Sequence, residues 1–504
     1  RIRGDLHMLL IGDPGTGKCV RGDTTVTLAD GSEHEIQSLV ESNLDDPKPV
    51  DDGVWDDADL AVPSLAPDGT LVQRRATKVW KREAPETMYR VRTANGHEVT
   101  VTPSHPLFVP GSQGPEAVQA DDLEAGQFVA TPRRLDTNGD DKLDVSYRES
   151  ESYNAVHIDL PDEWTPSLAR LVGYVVAEGY VEQRDDNTGY VSVTNNDEAV
   201  LDEVTAALDT LGANYHQREP HEGKSAREVI CGSGEFVSFL DELDAGLLDG
   251  SAAKRVPNAV KRASDGTKRE FLAAFVEGEG HVSANEREIS VASTSRELLE
   301  DVRSLLLSLD VTSQLHPREN GSYRLRISGG MFERYVADVG FVTDRKSDAA
   351  ASFEGTNGNT NTDVVPVDGD ELRSLRNELG LTQADCGIPR STYQHYERGS
   401  RNPSRQSLSA VASAFADAID ETVAADGGTD VEARVASVEA AATDDIAWDR
   451  IETIEEVEAD EEWVYDLEVE GTHNYLTDGV VSHNSQMISY VQNIAPRSVY
   501  TSGK

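Results

Sequence analysis

Two short stretches at opposite ends of the sequence together contain the residues of a phosphate-binding loop. Residues 12–18 read Gly-Asp-Pro-Gly-Thr-Gly-Lys after an apolar run, but Cys19 stands where the loop needs Ser or Thr to ligate Mg²⁺. The missing hydroxyl is that of Ser485, which opens a stretch with apolar residues at helical spacing. We therefore expect residues 19–484 to be an insert that removes itself. The residues expected to bind ATP and Mg²⁺ after joining are Gly12, Gly15, Gly17, Lys18 and Ser485.

The first border of this insert contains groups that could open a peptide bond. The Cys19 thiol can attack the Lys18 carbonyl and convert the amide into a thioester. This step is uphill, so it needs a distorted amide and an acid for the departing nitrogen. Thr102 and His105, three residues apart at a predicted strand end, are suited to polarising the bond and protonating the amine.

The second border contains groups that could complete the exchange. The Ser485 hydroxyl can accept the acyl group and form a branched ester. The side-chain amide nitrogen of Asn484 can then attack its own carbonyl and form a succinimide, while His483 protonates the leaving group. A final O-to-N acyl migration would restore an ordinary peptide bond between Lys18 and Ser485.

The segments around these residues resemble those of an intein, in the same order and with both borders matching. The matching segments are residues 19–24, 96–105, 464–475 and 480–485. By this resemblance Asp466 would assist between the first two steps, and His473 would support the cyclisation of Asn484. The resemblance implies a horseshoe-like, all-β Hedgehog/intein (Hint) domain that splices without a cofactor.

Two apolar segments, residues 171–179 and 272–280, have the same shape and each ends in a carboxylate followed by Gly. Small residues in both would let two helices pack closely, bringing Glu178 and Glu279 together at a common base. Paired carboxylates there could hold Mg²⁺ for phosphodiester hydrolysis, activating water and stabilising the leaving oxygen.

These two segments resemble the helices of the LAGLIDADG homing endonucleases, which are found inside many inteins. The resemblance extends to residues 255–257 and 340–346, and makes Lys346 a candidate for stabilising charge during cleavage of double-stranded DNA. Both acids are Glu where the family often has Asp. A folded but inactive nuclease and a pair of structural helices with Gly caps are therefore the alternatives.

Residues 372–412 resemble a Cro/repressor-type helix-turn-helix whose second helix begins near Thr382 and whose recognition helix starts around Arg390. The side chains expected at base edges are Arg390, Ser391, Thr392 and Gln394, with Arg398 and Arg401 on phosphates. With Arg405 these arginines would form a basic island. The alternative is a structural helical spacer.

The joined flanks, residues 1–18 and 485–504, resemble the nucleotide-binding core of the archaeal minichromosome maintenance (MCM) DNA helicase, a P-loop AAA+ ATPase. The phosphate loop alone would indicate only an NTPase. The resemblance implies an ATP-dependent replicative helicase that works as a hexameric ring and regains its ATP pocket after splicing. Because the sequence starts and stops inside this motif, we expect a fragment of a longer product.

The patterns around these residues predict a mixed α/β multidomain chain with a split β domain. Short alternating runs with turn signals fill residues 19–130, and strand patterns return at 446–484. The predicted divisions are a host segment (1–18), a splicing part (19–130), a linker (131–164), an α+β endonuclease (165–348), a linker (349–368), the helix-turn-helix (369–425), an acidic linker (426–445), the second splicing part (446–484) and a host segment (485–504).

Composition restricts the setting. The 504 residues contain three cysteines, which favours a reducing intracellular compartment, and no apolar run approaches the ~20 residues of a membrane helix. The net charge of -46 is spread along the chain and Lys is scarce, which resembles proteins of salt-accumulating archaea. We therefore expect a high-salt archaeal cytoplasm and no membrane partner. The rival hypotheses are a DNA-binding regulator that is never processed and a plain ATPase with a retained insertion.

Overall fold

The computed structural model describes residues 18–111, 114–137, 139–150, 156–184, 188–220, 226–353, 363–422 and 429–484. The first part of the chain is mainly strands. Its elements are β1 (Thr25–Thr27), β2 (Glu33–Glu35), α1 (Ile36–Glu41), β3 (Lys48–Val50), β4 (Gly53–Leu65), β5 (Leu71–Glu83), β6 (Thr87–Thr93), β7 (Glu98–Val101), β8 (Pro106–Gly111), β9 (Gly114–Gln119) and β10 (Phe128–Pro132).

The middle of the chain repeats one helix–strand–strand–helix–strand–strand–helix unit. The first copy is α2 (Pro166–Glu178), β11 (Gly179–Gln183), β12 (Gly189–Asn195), α3 (Glu198–Thr210), β13 (Tyr215–Arg218), β14 (Arg227–Cys231) and α4 (Gly234–Leu243). The short α5 (Asn258–Lys261) follows. The second copy is α6 (Asp265–Glu279), β15 (Gly280–Val282), β16 (Glu288–Ser293), α7 (Arg296–Ser308), β17 (Gln314–Pro317), β18 (Tyr323–Ser328) and α8 (Gly330–Asp338), before α9 (Asp344–Ala351).

The last part contains a helical module and four more strands within the described residues. Its elements are α10 (Gly369–Glu378), α11 (Arg390–Glu397), α12 (Arg405–Thr422), α13 (Thr429–Thr443), β19 (Ile446–Glu458), β20 (Trp463–Val469), β21 (Asn474–Thr477) and β22 (Val480–His483). The expected mixed α/β class is confirmed. No helix of the described residues is long and apolar enough to cross a membrane.

The β domain is assembled from both ends of the chain. Strand β21 pairs with β1, β22 with β8, β20 with β5, and β19 with both β10 and β6, all antiparallel. Alternating apolar residues on these strands close one core that contains Val26, Val79 and Val101 from the first part and Leu467 and Tyr475 from the last. Residues separated by more than 400 positions therefore share one packed interior.

The two copies of the repeated unit pack through α2 and α6. Each helix begins at a hydroxyl cap, since Thr165 accepts from Leu168 N and Ser264 from Thr267 N. Close packing depends on glycine, because a Cβ added at Gly173 would lie 2.7 Å from the Phe271 carbonyl oxygen. Each copy forms its own sheet, in the order β11-β12-β14-β13 and β15-β16-β18-β17.

The β domain and the second copy touch at a tight turn. Gly96 lies between β6 and β7 with φ +84°, and a Cβ there would lie 1.7 Å from the Leu315 carbonyl oxygen. Leu315 N also donates to the Asn95 carbonyl at 2.9 Å. Only glycine combines this left-handed backbone with so close an approach.

The structure differs from the sequence prediction in three respects. Residues 383–388 form turns and bends, so the helix expected near Thr382 is absent, although α11 begins at Arg390 as predicted. The predicted acidic linker contains α13, because Val435 and Val438 bury an apolar stripe against the module. The predicted linker at 131–164 is also packed, with Ile158 and Trp164 buried.

Candidate functional sites

The first border of the insert lies at the end of β7. Cys19 N donates to Thr102 Oγ1 at 3.1 Å, and Thr102 N donates to the Cys19 carbonyl at 3.0 Å. Both residues are buried. The Thr102 hydroxyl therefore lies on the amide nitrogen that must leave if the Lys18–Cys19 bond is opened.

His105 lies close to the Lys18 backbone. Its backbone N donates to the Thr102 carbonyl at 3.0 Å, and its ring is fully buried, with neither ring nitrogen in hydrogen-bond geometry with the described residues. Burial lowers the pKa of His105 to about 3, and the nearby Lys18 backbone opposes this lowering. The ring is therefore neutral near pH 7 and can receive a proton only in exchange with a close partner.

The second border lies at the end of β22. Asn484 N donates to the His473 carbonyl at 2.8 Å, and Asn484 Nδ2 donates to the Leu467 carbonyl at 2.5 Å. The Asn484 Oδ1 atom is buried without a partner among the described residues. Burial lowers the pKa of His483 to about 4, with the charges of Lys18 and His473 adding to the effect. The two borders are thus close enough for Lys18 to act on His483.

Strand β20 joins the two borders. Val20 N donates to the Tyr465 carbonyl at 2.8 Å, while Asn484 Nδ2 uses the Leu467 carbonyl two residues further along. Asp466 lies between them, and its Oδ1 accepts from Tyr475 Oη and from its neighbour Leu467 N, both at 2.8 Å. Both ends of the insert are therefore attached within three residues of one strand.

The charge of Asp466 perturbs the Cys19 thiol. Burial raises the pKa of Asp466 to about 7, and the Tyr475 hydrogen bond opposes this rise. Burial also raises the pKa of the Cys19 thiol well above its ordinary value, and the charge of Asp466 raises it further. A buried thiol that ionises with difficulty therefore faces a carboxyl group that exchanges its proton near neutral pH.

The predicted splicing residues of the described chain meet around β20, namely Cys19, Thr102, His105, Asp466, His473, His483 and Asn484. Ser485 and the loop glycines Gly12, Gly15 and Gly17 lie outside the described residues. Tyr475 was given no role from the sequence. The position of Tyr475 after His473 and Asn474 does not indicate a function in the sequence, because only the fold brings its hydroxyl to Asp466.

The predicted carboxylate pair lies at the ends of α2 and α6. A Cβ added at Gly278 would lie 2.8 Å from the Ala177 Cβ, so the helix ends touch. Partial desolvation raises the pKa of both Glu178 and Glu279, and the charge of Glu279 raises that of Glu178 further. Asn195 Nδ2 donates to Glu178 Oε2 at 2.5 Å. The expected convergence of the two acids is therefore present.

Each helix end is also held by a buried lysine. Lys254 Nζ donates to the carbonyls of Val175, Val176 and Gly179 at 3.1, 3.0 and 2.7 Å. Lys346 Nζ makes the same three contacts with Val276, Glu277 and Gly280 at 2.7, 2.5 and 2.7 Å. These contacts satisfy the last carbonyls of α2 and α6.

These contacts change what was expected of Lys346. The Lys346 ammonium group has three N–H donors, and all three bond to main-chain carbonyls. The positive charge of Lys346 can therefore act on other groups only at a distance. Lys254 was missed, although it follows the first copy as Lys346 follows the second. Burial lowers the pKa of Lys254 to about 8, and the charges of Glu279 and Glu178 oppose this lowering.

The carboxylate pair fits a divalent cation. The described residues contain no group of three or more His, Cys, Asp or Glu that could hold a metal ion. Mg²⁺ is nevertheless often bound by only one or two carboxylates, together with waters and substrate phosphates. Besides burial, the charge of Glu279 raises the pKa of Glu178. A cation bound between the two carboxylates would relieve this repulsion.

The expected DNA-contacting side chains lie on and beside α11. Arg390, Ser391, Arg398 and Arg401 are exposed, while Thr392 and Gln394 are half-buried. Arg405 does not belong to this surface, because it is buried and ion-paired with Asp363 and Asp444 at 3.2 and 2.8 Å. The basic island is therefore smaller than the sequence suggested.

Comparison with known proteins gives a family match and several partial similarities. The intein splicing domain family matches residues 26–484. The chain is 23% identical to the DNA-directed RNA polymerase subunit Rpo1C of Methanocaldococcus jannaschii, over 97% of this chain and 58% of that relative, so it spans little more than half of the relative's length. The crystal structure of the PabCDC21-1 intein is similar at 34% identity, covering 23% of this chain and 73% of that chain with a TM-score of 0.22. The crystal structure of I-DmoI in complex with DNA and Mn is similar at 18% identity, covering 35% and 96%, with a TM-score of 0.28.

Proposed function

Because the chain belongs to the intein splicing domain family, we propose that it excises residues 19–484 and joins Lys18 to Ser485. The observation that carries this proposal is the attachment of both borders to β20. Val20 is bonded to Tyr465, and the Asn484 side chain to Leu467. Splicing needs the two borders to react with one another, so their shared strand is the arrangement the chemistry requires.

In the first step the Cys19 sulfur bonds to the Lys18 carbonyl carbon, and the carbon–nitrogen bond to Cys19 breaks. The thiol proton passes to Asp466, whose pKa of about 7 suits a base near neutral pH. The departing nitrogen, which contacts the Thr102 hydroxyl, becomes an amine by taking one proton through the neutral His105 ring, which regains a proton from the protonated Asp466. The net change is the transfer of the thiol proton to this nitrogen. Burial of the site excludes the water that would hydrolyse the thioester.

In the second step the Ser485 hydroxyl oxygen bonds to the same carbonyl carbon, and the Cys19 thiol is released. In the third step Asn484 Nδ2 loses one proton and bonds to the main-chain carbonyl carbon of the same residue, and the bond to the Ser485 nitrogen breaks. The neutral His483 ring donates a proton to the Ser485 nitrogen and regains the one that Nδ2 loses. The Leu467 carbonyl, which accepts from Asn484 Nδ2, orients this nucleophile. The freed amine of Ser485 then takes the acyl group from its own oxygen.

Expression followed by mass spectrometry tests this proposal. We expect two products, residues 19–484 and a peptide in which 1–18 is joined to 485–504. A combined Cys19→Ala and Asn484→Ala variant should remain a single chain, whereas the matched surface variant Asn285→Ala should splice normally. A wild-type chain that stays intact under folding conditions would favour the unprocessed regulator or the ATPase with a retained insertion.

We also propose that the repeated unit is a metal-dependent, site-specific DNA endonuclease of the LAGLIDADG type. The convergence of Glu178 and Glu279 on one base supports this, since their carboxylates would hold Mg²⁺ there. The metal would supply an activated water and stabilise the leaving oxygen. Lys254 and Lys346 hold the two helix ends in place and keep positive charge beneath the carboxylates.

Cleavage of duplex DNA encoding the uninterrupted phosphate loop tests the second proposal. We expect Mg²⁺-dependent cutting by the splicing-blocked chain, lost in Glu178→Gln and retained in Glu242→Gln, an exposed carboxylate on α4. Cutting that persists in Glu178→Gln would refute the assigned site. If neither the splicing-blocked chain nor its variants cut the DNA, the result would favour the alternative, an intein that splices but has an inactive nuclease.

The remaining proposals rest on the sequence. The face of α11 with Arg390 and Ser391 would extend the contact with double-stranded DNA, and Arg390→Ala should weaken binding in a mobility-shift assay. The flanks would belong to an archaeal MCM-type, ATP-binding, hexameric helicase; residues 1–17 and 485–504 lie outside the described residues. The net charge of -46 supports a high-salt archaeal cytoplasm as its setting.

A further inference from the structure

His473 has an unusual backbone conformation. Its φ is +57°, and within the described part of the chain it is one of three non-glycine residues with a positive φ, the others being Asp310 and Asp478. This left-handed conformation is unfavourable for a residue with a side chain, so it persists only where the surrounding structure holds it. Neighbouring groups must therefore fix the backbone of His473.

This backbone brings His473 to the second border of the insert. Its carbonyl accepts from Asn484 N at 2.8 Å, while Asn484 Nδ2 donates to the Leu467 carbonyl at 2.5 Å. Asn484 is thus held at two nitrogens by two separate carbonyls. In the third step Nδ2 must reach the main-chain carbonyl carbon of the same residue, and its approach depends on where both carbonyls lie.

The next residue, Asn474, has a buried side-chain amide whose polar atoms are all bonded. Its Oδ1 accepts from Leu65 N at 2.6 Å, and the Ser64 hydroxyl lies 2.9 Å from the same oxygen. Its Nδ2 donates to the carbonyls of Leu65 and Thr472 at 2.8 and 2.9 Å. The bond to the Thr472 carbonyl spans His473, so it closes a small ring around that residue.

Ser64, the last residue but one of β4, ties both neighbours of His473 to the same strand. Its Oγ lies 2.5 Å from Thr472 Oγ1 and 2.7 Å from the Asn474 carbonyl oxygen. Ser64 is fully buried and Asn474 is 2% exposed. A buried polar network that is fully bonded fixes one arrangement of its members. The chain on either side of His473 is therefore anchored to β4.

We propose that Asn474 and Ser64 are positioning residues for the third step, because they lock His473 in its left-handed conformation and so place its carbonyl on Asn484 N. Their side-chain bonds go to each other, to Thr472 and to the main chain of β4, and not to a reacting group. They act on the second border through His473. This inference rests on the proposed splicing function.

Cleavage at the second border isolates the third step. In a Cys19→Ala background, cyclisation of Asn484 releases residues 485–504, which mass spectrometry quantifies. The first step is measured separately as the dithiothreitol-induced release of residues 1–18 in an Asn484→Ala, Ser485→Ala background. The ratio of the two rates distinguishes positioning from a general loss of structure, because misfolding slows both releases.

Removal of the amide is the stronger perturbation. Asn474→Ala should slow the release of residues 485–504 by about 10²-fold, the usual cost of misplacing a reacting group by about 1 Å. It should leave the release of residues 1–18 within a few-fold of the parent rate. Ser64→Ala should act in the same direction. An equal slowing of both releases in the two variants would overturn the proposal, because the network would then support only the fold.

Thr472 gives a milder test that does not empty the buried site. Thr472→Val keeps the shape of the side chain and removes only the hydroxyl beside Ser64, and it should slow the release of residues 485–504 several-fold. Thr472→Ser keeps the hydroxyl and should release faster than Thr472→Val. Thr210→Val is the matched control, since its exposed hydroxyl donates to a main-chain carbonyl on α3, and both releases should match the parent.

The parent chains separate the failure of this inference from the failure of splicing. If the parents release both segments and Asn474→Ala, Ser64→Ala and Thr472→Val release residues 485–504 as fast, only the positioning role is refuted. If the folded parents release neither segment, the splicing function is refuted and the positioning role with it.

Discussion

Replacement of Asp466 by Asn tests the reasoning about the first splicing step most directly. The substitution keeps the shape of the side chain and removes only its ability to take a proton. Tyr475 can still donate to the amide oxygen in place of Oδ1. The fold around β20 should therefore survive, so a change in rate reports on proton transfer.

The expected magnitude follows from the perturbed pKa of Asp466. An ordinary aspartate is ionised throughout the range above about pH 5, whereas a pKa of about 7 leaves only about one carboxyl in a hundred ionised at pH 5. The rise from 3.8 to about 7 corresponds to about 4 kcal/mol against the ionised form. If ionised Asp466 takes the thiol proton, the rate should rise about tenfold per pH unit and level off above about pH 7.

Thiol-induced cleavage at Lys18–Cys19 isolates this step. In an Asn484→Ala, Ser485→Ala background, dithiothreitol captures the thioester and releases residues 1–18, which are quantified by mass spectrometry from about pH 5 to 9. Asp466→Asn should slow the release by about 10²–10⁴-fold at pH 7, the usual range for general-base catalysis. It should also remove the inflection, because release then depends on a thiol whose pKa lies well above its ordinary value.

Glu456→Gln, an exposed carboxylate on β19, is the matched control and should leave the profile unchanged. The reasoning would be refuted if Asp466→Asn kept the inflection near pH 7, because another group would then be the base. It would also be refuted if the parent showed a flat profile between about pH 5 and 8.

Three further predictions follow from the same structure. Tyr475→Phe should move the cleavage inflection to higher pH, because it removes a hydrogen bond that lowers the pKa of Asp466; an unmoved inflection in the same assay would contradict this. Gly278→Val should lower the free energy of unfolding by about 1–3 kcal/mol in denaturant titrations and abolish DNA cutting, because the added Cβ would overlap Ala177. A variant as stable as the wild type would contradict this, because the ends of α2 and α6 would then have moved apart to make room. Lys261→Met should lower the free energy of unfolding by about 3–5 kcal/mol, because Lys261 is buried between Glu33 and Asp301 at 2.8 and 2.6 Å. Arg334→Met, which removes an exposed ion pair, should lower it by less than about 1 kcal/mol. Equal losses of stability in the two variants would refute this difference between buried and exposed pairs.

The carboxylates at the ends of α2 and α6 were predictable because they are a local feature that occurs twice. Glu178 and Glu279 each end an apolar helix, and the small residues beside them could only serve close packing. Lys254 escaped prediction because a lone lysine in a loop has no local pattern. Its function as a helix cap appears only when the chain returns to the end of α2.

The helical module was predicted less well. The helix expected near Thr382 is a series of turns, where Thr382 N and Oγ1 both donate to Asp385 Oδ2 at 2.9 and 2.6 Å. These contacts resemble those at a helix start, but no helix follows them, and nothing in the structure explains why. Arg405 looked like a DNA contact because sequence shows charge without burial, and its carboxylate partners lie about 40 positions away.

The sequence by itself predicted the reacting groups and the two borders, because a thiol, an amide side chain and a divided phosphate-loop pattern are chemical identities that do not depend on folding. Tertiary structure alone decided how those groups behave. The pKa of Asp466 near 7 and the attachment of Val20 and Asn484 to β20 arise from burial and from pairing between strands more than 400 residues apart. Such desolvation and long-range pairing depend on every element that packs around the site, and no local pattern in the chain records them.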